Sequence, residues 1–386
     1  MRHTNQSRGR GWPALMALLA LIAALAIAAC GDDDTVGGGS GDSDAEVAKA
    51  GPVKGDITIS NWPAYMDTGK RNTVAEFEDE YGVTVKYVED VNDNAEFFGK
   101  LRPQLEKGQS GGRSIFVVTD WMAKQMYDLG YLQELPHDDL TTVFENLRPD
   151  LESPSFDPER KFSVPWQSGM TGIMVNEKLA PDVKSVNDLF DPKYKGKVTF
   201  LSEMRDSVPL VMKADGVDVE DATKDDWLKA IDKLRDAAQS GQIRRFTGND
   251  YNQDMTNENV VAAIGWSGDT SIIENPDVKW RMPAEGCILW SDNMVIPKGA
   301  PNTPAAIAWM NFVYQPAVQA DIAEYVQYVT PVDGVAETLP KLRDNQLIFP
   351  DEEFTQDCST QPDPPGSAED RQEVTEAFQD MITGQG

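Results

Sequence analysis

The sequence predicts an α/β protein built on a mainly parallel sheet, and three observations lead there. From Asp56 onward, short apolar strands alternate with amphipathic helical patterns. Some strands, such as "RSIFVVTDW", are apolar throughout, as expected of strands covered on both faces. The chain has 386 residues, 40% of them hydrophobic, which is enough to fill the cores of two domains.

The first segment is expected to be a targeting signal. Arg2, Arg8 and Arg10 precede the apolar run "WPALMALLALIAALAIAA", which leads into Cys30. "IAAC" resembles the bacterial lipobox, and the resemblance implies cleavage after Ala29 and acylation of the Cys30 thiol. A plain membrane anchor would not need small residues and a cysteine at those positions. Residues 1–29 are therefore expected to be a signal peptide. Residues 30–55, rich in Gly, Ser and Asp, are expected to be a flexible tether after the lipidated cysteine. The location implied is extracytoplasmic, anchored to a membrane through lipid.

The folded part opens with the strand "DITIS", closed at Asn61, Trp62 and Pro63. Val74, Phe77 and Tyr81 mark a helix that stops at Gly82, followed by the strand "VTVKYVED" and the helix "AEFFGKLRPQLEKG". The third strand ends at Thr119, Asp120 and Trp121. Further strands are expected at "TGIMVN", "GKVTFLSE", "VVAAIGWSGD" and "GCILWSDNMVIP". Helices are expected at "KDDWLKAIDKLRDAAQSG", on both sides of Pro316, and at "RQEVTEAFQDMI".

Charge and composition exclude several functions. Sixty-four acidic against 35 basic residues give a formal charge of −29, and loss of residues 1–29, with three arginines and no acid, makes it −32. Such a chain is no partner for nucleic acid, which needs clustered Lys and Arg. His137 is the one histidine beyond the leader, so no metal cluster of the usual kind is expected. No phosphate-binding glycine loop or GxSxG elbow is present, and no cofactor is expected. Cys287 and Cys358 form an even pair outside the cytoplasm and are expected to be bridged.

What recurs is an aromatic residue at a strand end with a carboxylate nearby. The instances are Trp62 with Tyr65, Asp120 with Trp121, Trp266 with Asp269, and Trp290 with Asp292; Glu203 and Asp206 lie at another strand-to-loop transition. Indole faces attract cations, and carboxylates satisfy the three donors of an ammonium. Such a set suits an organic polycation with an apolar stem. Trp-rich clefts with acids also suit sugars, so a carboxylate-dependent glycoside hydrolase stands as an alternative.

The ordered phrases "ITISNWPAY", "FVVTDWMAKQM", "FDPERKFSVPW", "LFDPKYKGKVTFLSE", "IGWSGD", "GCILWSDNMVIP" and "QYVTP" resemble the bacterial spermidine/putrescine-binding proteins. Those are the substrate-binding subunits of polyamine ABC importers. The resemblance implies a two-lobe, periplasmic-binding-protein-like fold of type II with the ligand in the cleft between lobes. It implies one lobe from 56–165 plus about 293–337, and a second from about 166–292 plus 338–384. It further implies a monomeric, non-enzymatic receptor that works with a membrane permease. The ligand-binding residues it carries over are Trp62, Tyr65, Thr119, Asp120, Trp121, Glu203, Asp206, Trp266, Asp269, Trp290, Asp292 and Tyr328. Pro63 and Ala64 stand where some members carry an acidic residue. That difference leaves a different cationic or zwitterionic ligand, an opine or modified amino acid, as the alternative within the class.

Overall fold

A computed structural model of the chain describes residues 46–67 and 71–384. The expected signal peptide, Cys30 and the expected tether as far as residue 45 lie outside the described residues.

The chain begins with β1 (Ile57–Asn61), α1 (Thr73–Tyr81), β2 (Val85–Glu89), α2 (Asn94–Leu105), β3 (Ile115–Thr119) and α3 (Asp120–Asp128). It continues through α4 (Thr141–Asn146), β4 (Val164–Asn176), β5 (Val198–Leu201), α5 (Met204–Ala214), α6 (Lys224–Gln239), β6 (Ile243–Thr247), α7 (Tyr251–Thr256) and β7 (Ala262–Trp266). The remainder is β8 (Val278–Arg281), β9 (Ile288–Val295), α8 (Thr303–Val313), α9 (Pro316–Val326), α10 (Val335–Thr338), α11 (Glu352–Thr355), β10 (Ser359–Thr360) and α12 (Ala368–Thr383).

Local signals explain the helix ends. The Asn72 side chain accepts from Ala75 N at the start of α1, and Gly82 takes the left-handed conformation (φ 64°) that closes it. Thr223 with Asp226 and Ser367 with Asp370 form capping boxes on α6 and α12.

The strand order β2-β1-β3-β9-β4-β7-β5-β6 divides the sheet into two outer parts and a centre. β1 pairs in parallel with β2 and β3, and β5 pairs in parallel with β6 and β7. The expectation of a mainly parallel sheet holds for these parts and fails at the centre. There β9 runs antiparallel to both β3 and β4, and β4 runs antiparallel to β7. β4 and β9 are the longest strands; β9 lies between β3, which pairs with Asp292–Val295, and β4, which pairs with Ile288–Ser291 and again with Asn293 and Met294. A register shift between Pro165 and Ser168 interrupts the β4 ladder opposite Asp292, where the pairing of β9 with β3 begins. A third pass of the chain joins there, as Ser168 and Val329 exchange backbone hydrogen bonds of 2.9 Å.

Two expectations need correction. The tether ends earlier than residue 55: Ala48 is buried, and Glu46 and Ala48 exchange backbone bonds of 2.8 Å with Glu134, so residues 46–48 are held as an added edge pair. α3 and α5, not anticipated as helices, start within one to three residues of their preceding strands, so strand and helix signals overlap there. Among the described residues no helix is long and apolar enough to cross a membrane.

Phe77 anchors α1 to α8, its ring centroid lying 5.1 Å from Trp309 and 5.3 Å from Phe312, with no exposure. Phe77→Ala leaves a cavity in this cluster and is expected to lower the unfolding free energy by about 3–5 kcal/mol in denaturant titration.

Candidate functional site

The middle of β9, opposite the register shift in β4, builds the site. Trp290 and Asp292, two residues apart, share a face of that strand, as pleat geometry requires. Around them a cavity is lined by Trp62, Tyr65, Thr119, Glu203, Asp206, Trp266, Asp269, Trp290, Asp292 and Tyr328. Ten of the twelve residues carried over by resemblance thus share one cavity. Pro63, Asn94, Asn249 and Gln361 complete its lining.

The aromatic rings form a continuous arc. Trp62 meets Trp266 edge-on at 5.8 Å, Trp266 meets Trp290 at 6.5 Å, Trp290 meets Tyr328 at 5.5 Å, and Tyr328 meets Tyr65 at 5.1 Å. Two of these rings rest directly on backbone. A Cβ at Gly169 would lie 2.5 Å from the Trp290 ring, and one at Gly268 2.4 Å from the Tyr328 ring. Only glycine allows so close an approach at those two places.

Four carboxyl groups enter the same cavity. Asp292 accepts from the Thr119 hydroxyl at 2.8 Å. Asp206 accepts from Thr171 (2.9 Å), Trp266 Nε1 (3.2 Å) and Gln361 Nε2 (2.9 Å). Asp269 accepts from the Tyr251 and Tyr328 hydroxyls, both at 2.6 Å, and from Asn252 Nδ2 at 2.7 Å. Glu203 accepts from Asn94 through its backbone N (2.7 Å) and its Nδ2 (2.9 Å). That pair spans the cleft, because Asn94 opens α2 beside β3 and Glu203 precedes α5 beside β5. Ser202 makes a second crossing by donating to Asp93 Oδ2 at 2.8 Å.

None of the lining residues is Lys, Arg or His. Burial pushes the Asp292 carboxyl up to about 7, reinforced by the charges of Asp120 and Asp206 and opposed by Thr119 and Tyr65. Burial pushes Asp206 to about 6 against the pull of its three donors. Glu203 is raised well above the usual range, by burial first and then by Asp93. Asp269 is raised by burial although four donors oppose it. Trp62 Nε1, Trp290 Nε1 and the Tyr65 hydroxyl are buried without a well-aligned partner, although Tyr65 lies close enough to Asp292 to affect it electrostatically. The arrangement favours a positive guest, since buried acids that lack a counter-charge resist ionisation.

Asp120 and Trp121 do not line this cavity. α3 begins at Asp120, so the backbone turns helically straight after Thr119, and the Thr119 hydroxyl goes to Asp292 instead of capping that helix. Asp120 accepts from Asn293 Nδ2 at 2.6 Å, in a network with the buried Arg160. Trp121 lies under the Arg205 guanidinium, 4.0 Å from its ring centre, in a second groove at the outer rim of the cleft. Among the residues missed from sequence, Asn94 and Asn249 carry no aromatic flag. Gln361 lies three positions after Cys358, which is bonded to Cys287. That bridge was the available signal for bringing Gln361 near β9.

The chain matches the family of bacterial extracellular solute-binding proteins over residues 72–350, and it belongs to that family. It is 27% identical over 301 residues to the spermidine/putrescine-binding periplasmic protein of Escherichia coli, covering 76% of this chain and 82% of that one. With a putrescine-binding periplasmic protein of Pseudomonas aeruginosa it shares 29% identity over 340 residues, 81% and 88% of the two chains. Among solved structures, a spermidine/putrescine ABC transporter substrate-binding protein from Streptococcus pneumoniae superposes with a TM-score of 0.68 at 25% identity. That match covers 86% of this chain and all of the other. The two-lobe periplasmic-binding-protein fold is therefore shared, and these relatives are binding proteins rather than enzymes.

Raised carboxyl groups give the ligand-free protein a distinctive response to pH. Asp292 and Asp206 bind their protons more tightly folded than unfolded, so their contribution is fully present below about pH 4 and is lost as pH rises through about 6 to 7. The melting temperature of the ligand-free protein is expected to fall between pH 5 and 8, and Asp292→Asn to flatten that fall, as read by calorimetric scanning. Gly169→Ala should displace the Trp290 ring and destabilise the protein by about 1–3 kcal/mol, measured by denaturant unfolding.

Proposed function

We propose that the protein captures a linear polyamine, spermidine or putrescine, and hands it to an ABC importer while tethered to the membrane surface by lipid on Cys30. The observation that carries this reading is four carboxyl groups inside an aromatic arc with no cationic side chain among the lining residues. In this reading the ligand is the missing cation. Asp292, oriented by Thr119, receives one ammonium, while Trp290 lies along the methylenes. Asp206 and Asp269, each already held by neutral donors, receive the remaining charge. The names of the relatives from E. coli, P. aeruginosa and S. pneumoniae support the same ligand class.

Closure follows from the crossing contacts. Asn94 with Glu203 and Asp93 with Ser202 join the two sides of the cleft only when it is shut, so a ligand that touches both sides favours that state. The formal charge of −32 after leader removal would draw a polycation in, more strongly at low salt.

Isothermal titration with spermidine and putrescine tests the reading. Binding is expected for at least one of them, to tighten as pH rises from 5 to 8, and to weaken with salt. Asp292→Ala should weaken it by about a hundredfold or more, and Trp290→Ala by about tenfold. A protein that ignores every di- and polyamine while binding a sugar or an anion overturns the proposal.

A further inference from the structure

The stretch that carries Gln361 meets the site through a very short strand, and beyond it α12 packs on α6 with Val374, Phe378 and Met381 buried. β10 has two residues and pairs in parallel with the start of β9, Ser359 opposite Ile288 and Thr360 opposite Leu289. Ser359 N donates to Cys287 O at 3.0 Å, and Gln361 N donates to Leu289 O at 2.8 Å. From that backbone position Gln361 Nε2 donates to Asp206 Oδ1 at 2.9 Å inside the cavity. So short a strand at a sheet edge adds little stability of its own. The residues that follow, "QPDPPGS", contain three prolines, which cannot donate to a ladder.

The Cys287–Cys358 disulfide sits at the head of this attachment, one residue before each strand. The two cysteines are 71 residues apart, so the bridge closes a long loop that the chain would otherwise have to order. The backbone at Gly286 is fitted to the contact: its φ is +87°, and a Cβ there would lie 1.7 Å from Asp357 O. Lys213 Nζ adds bonds to Asp357 O (3.0 Å) and Ser359 Oγ (3.1 Å). Among the described residues this disulfide is the one covalent tie holding the segment.

We propose that the Cys287–Cys358 disulfide is a positioning device for the ligand site: it fixes β10 on β9 so that Gln361 reaches Asp206, and cation affinity therefore depends on the bridge being closed. The inference rests on the polyamine reading for its affinity arm, and on the placement of Gln361 alone for its structural arm. Gln361 is one of three donors that favour the ionised form of Asp206, so releasing it leaves that carboxyl harder to ionise. Opening the bridge takes two electrons and two protons. Dithiothreitol supplies both, closing to its cyclic disulfide and leaving two protein thiols.

The test compares wild type, Cys358→Ser, Gln361→Ala and the double variant. In Cys358→Ser the amide of Gln361 is expected to exchange hydrogen at least about tenfold faster, by mass spectrometry, whether or not ligand is present. Spermidine or putrescine affinity should fall by about tenfold in each single variant, with no further loss in the double variant. The acid limb of binding should move to higher pH in Cys358→Ser, which general loosening of the fold would not produce. Unchanged Gln361 exchange, or additive losses in the double variant, overturns the proposal. If wild type binds no polyamine the reading above fails, and the exchange rate still decides whether the bridge places Gln361. Should Cys358→Ser not fold, wild type reduced with dithiothreitol gives the same comparison.

Discussion

The molecule depends on the backbone ladders along β9, which pairs with β4 in both its halves and, over its second half, with β3 as well. One strand thereby joins both parts of the sheet, and side chains at its middle line the cavity. Trp290 and Asp292 occupy that place because of the pleat. Their partners come from strand ends that reach the same level: Thr119 at the end of β3, Trp266 at the end of β7, and Glu203 just beyond β5. The crossing by way of Ser168 and Val329 adds a third strand of chain at the same level, so the two parts are joined where the ligand cavity begins.

A second constraint, electrostatic, follows from that geometry. Closing the cleft removes four carboxyl groups from water and provides hydroxyls, amides and indole N–H groups, but no cation. Neutral donors hold Asp206 and Asp269 in place without cancelling their charge. The same burial that disfavours ionisation in the empty cleft strengthens the attraction to a cation once one enters. The selectivity for positive charge that we propose and the tension in the ligand-free state thus have a single cause.

Much of this was legible in the sequence. The recurrence of Trp or Tyr with an acid at successive strand ends named most of the cavity, because strand ends on one side of an α/β sheet converge by topology. The exception, Asp120 with Trp121, matched the pattern as a string. It fails because α3 starts at once, so residues one and two positions past the strand turn helically away while Thr119 stays in the cavity. Asn94 was invisible for the opposite reason: its loop contains amides and acids but no ring to draw notice, and its role comes from a contact across the cleft. Gln361 could be located only by knowing that Cys358 is bonded to Cys287. The antiparallel centre was hidden because single strands do not announce the direction of their neighbours.

The glycines behind the arc have a consequence for the energetics of recognition. With Trp290 lying on Gly169 and Tyr328 on Gly268, each ring rests against main chain as well as against its neighbours in the arc. Their rotational freedom is surrendered when the chain folds, well before any guest arrives. An entering molecule meets walls that are already still, so little of its binding energy is diverted to ordering them. Rigidity of this kind also sets a limit: the arc can clasp what fits its spacing, but it has little latitude to reshape itself around something wider.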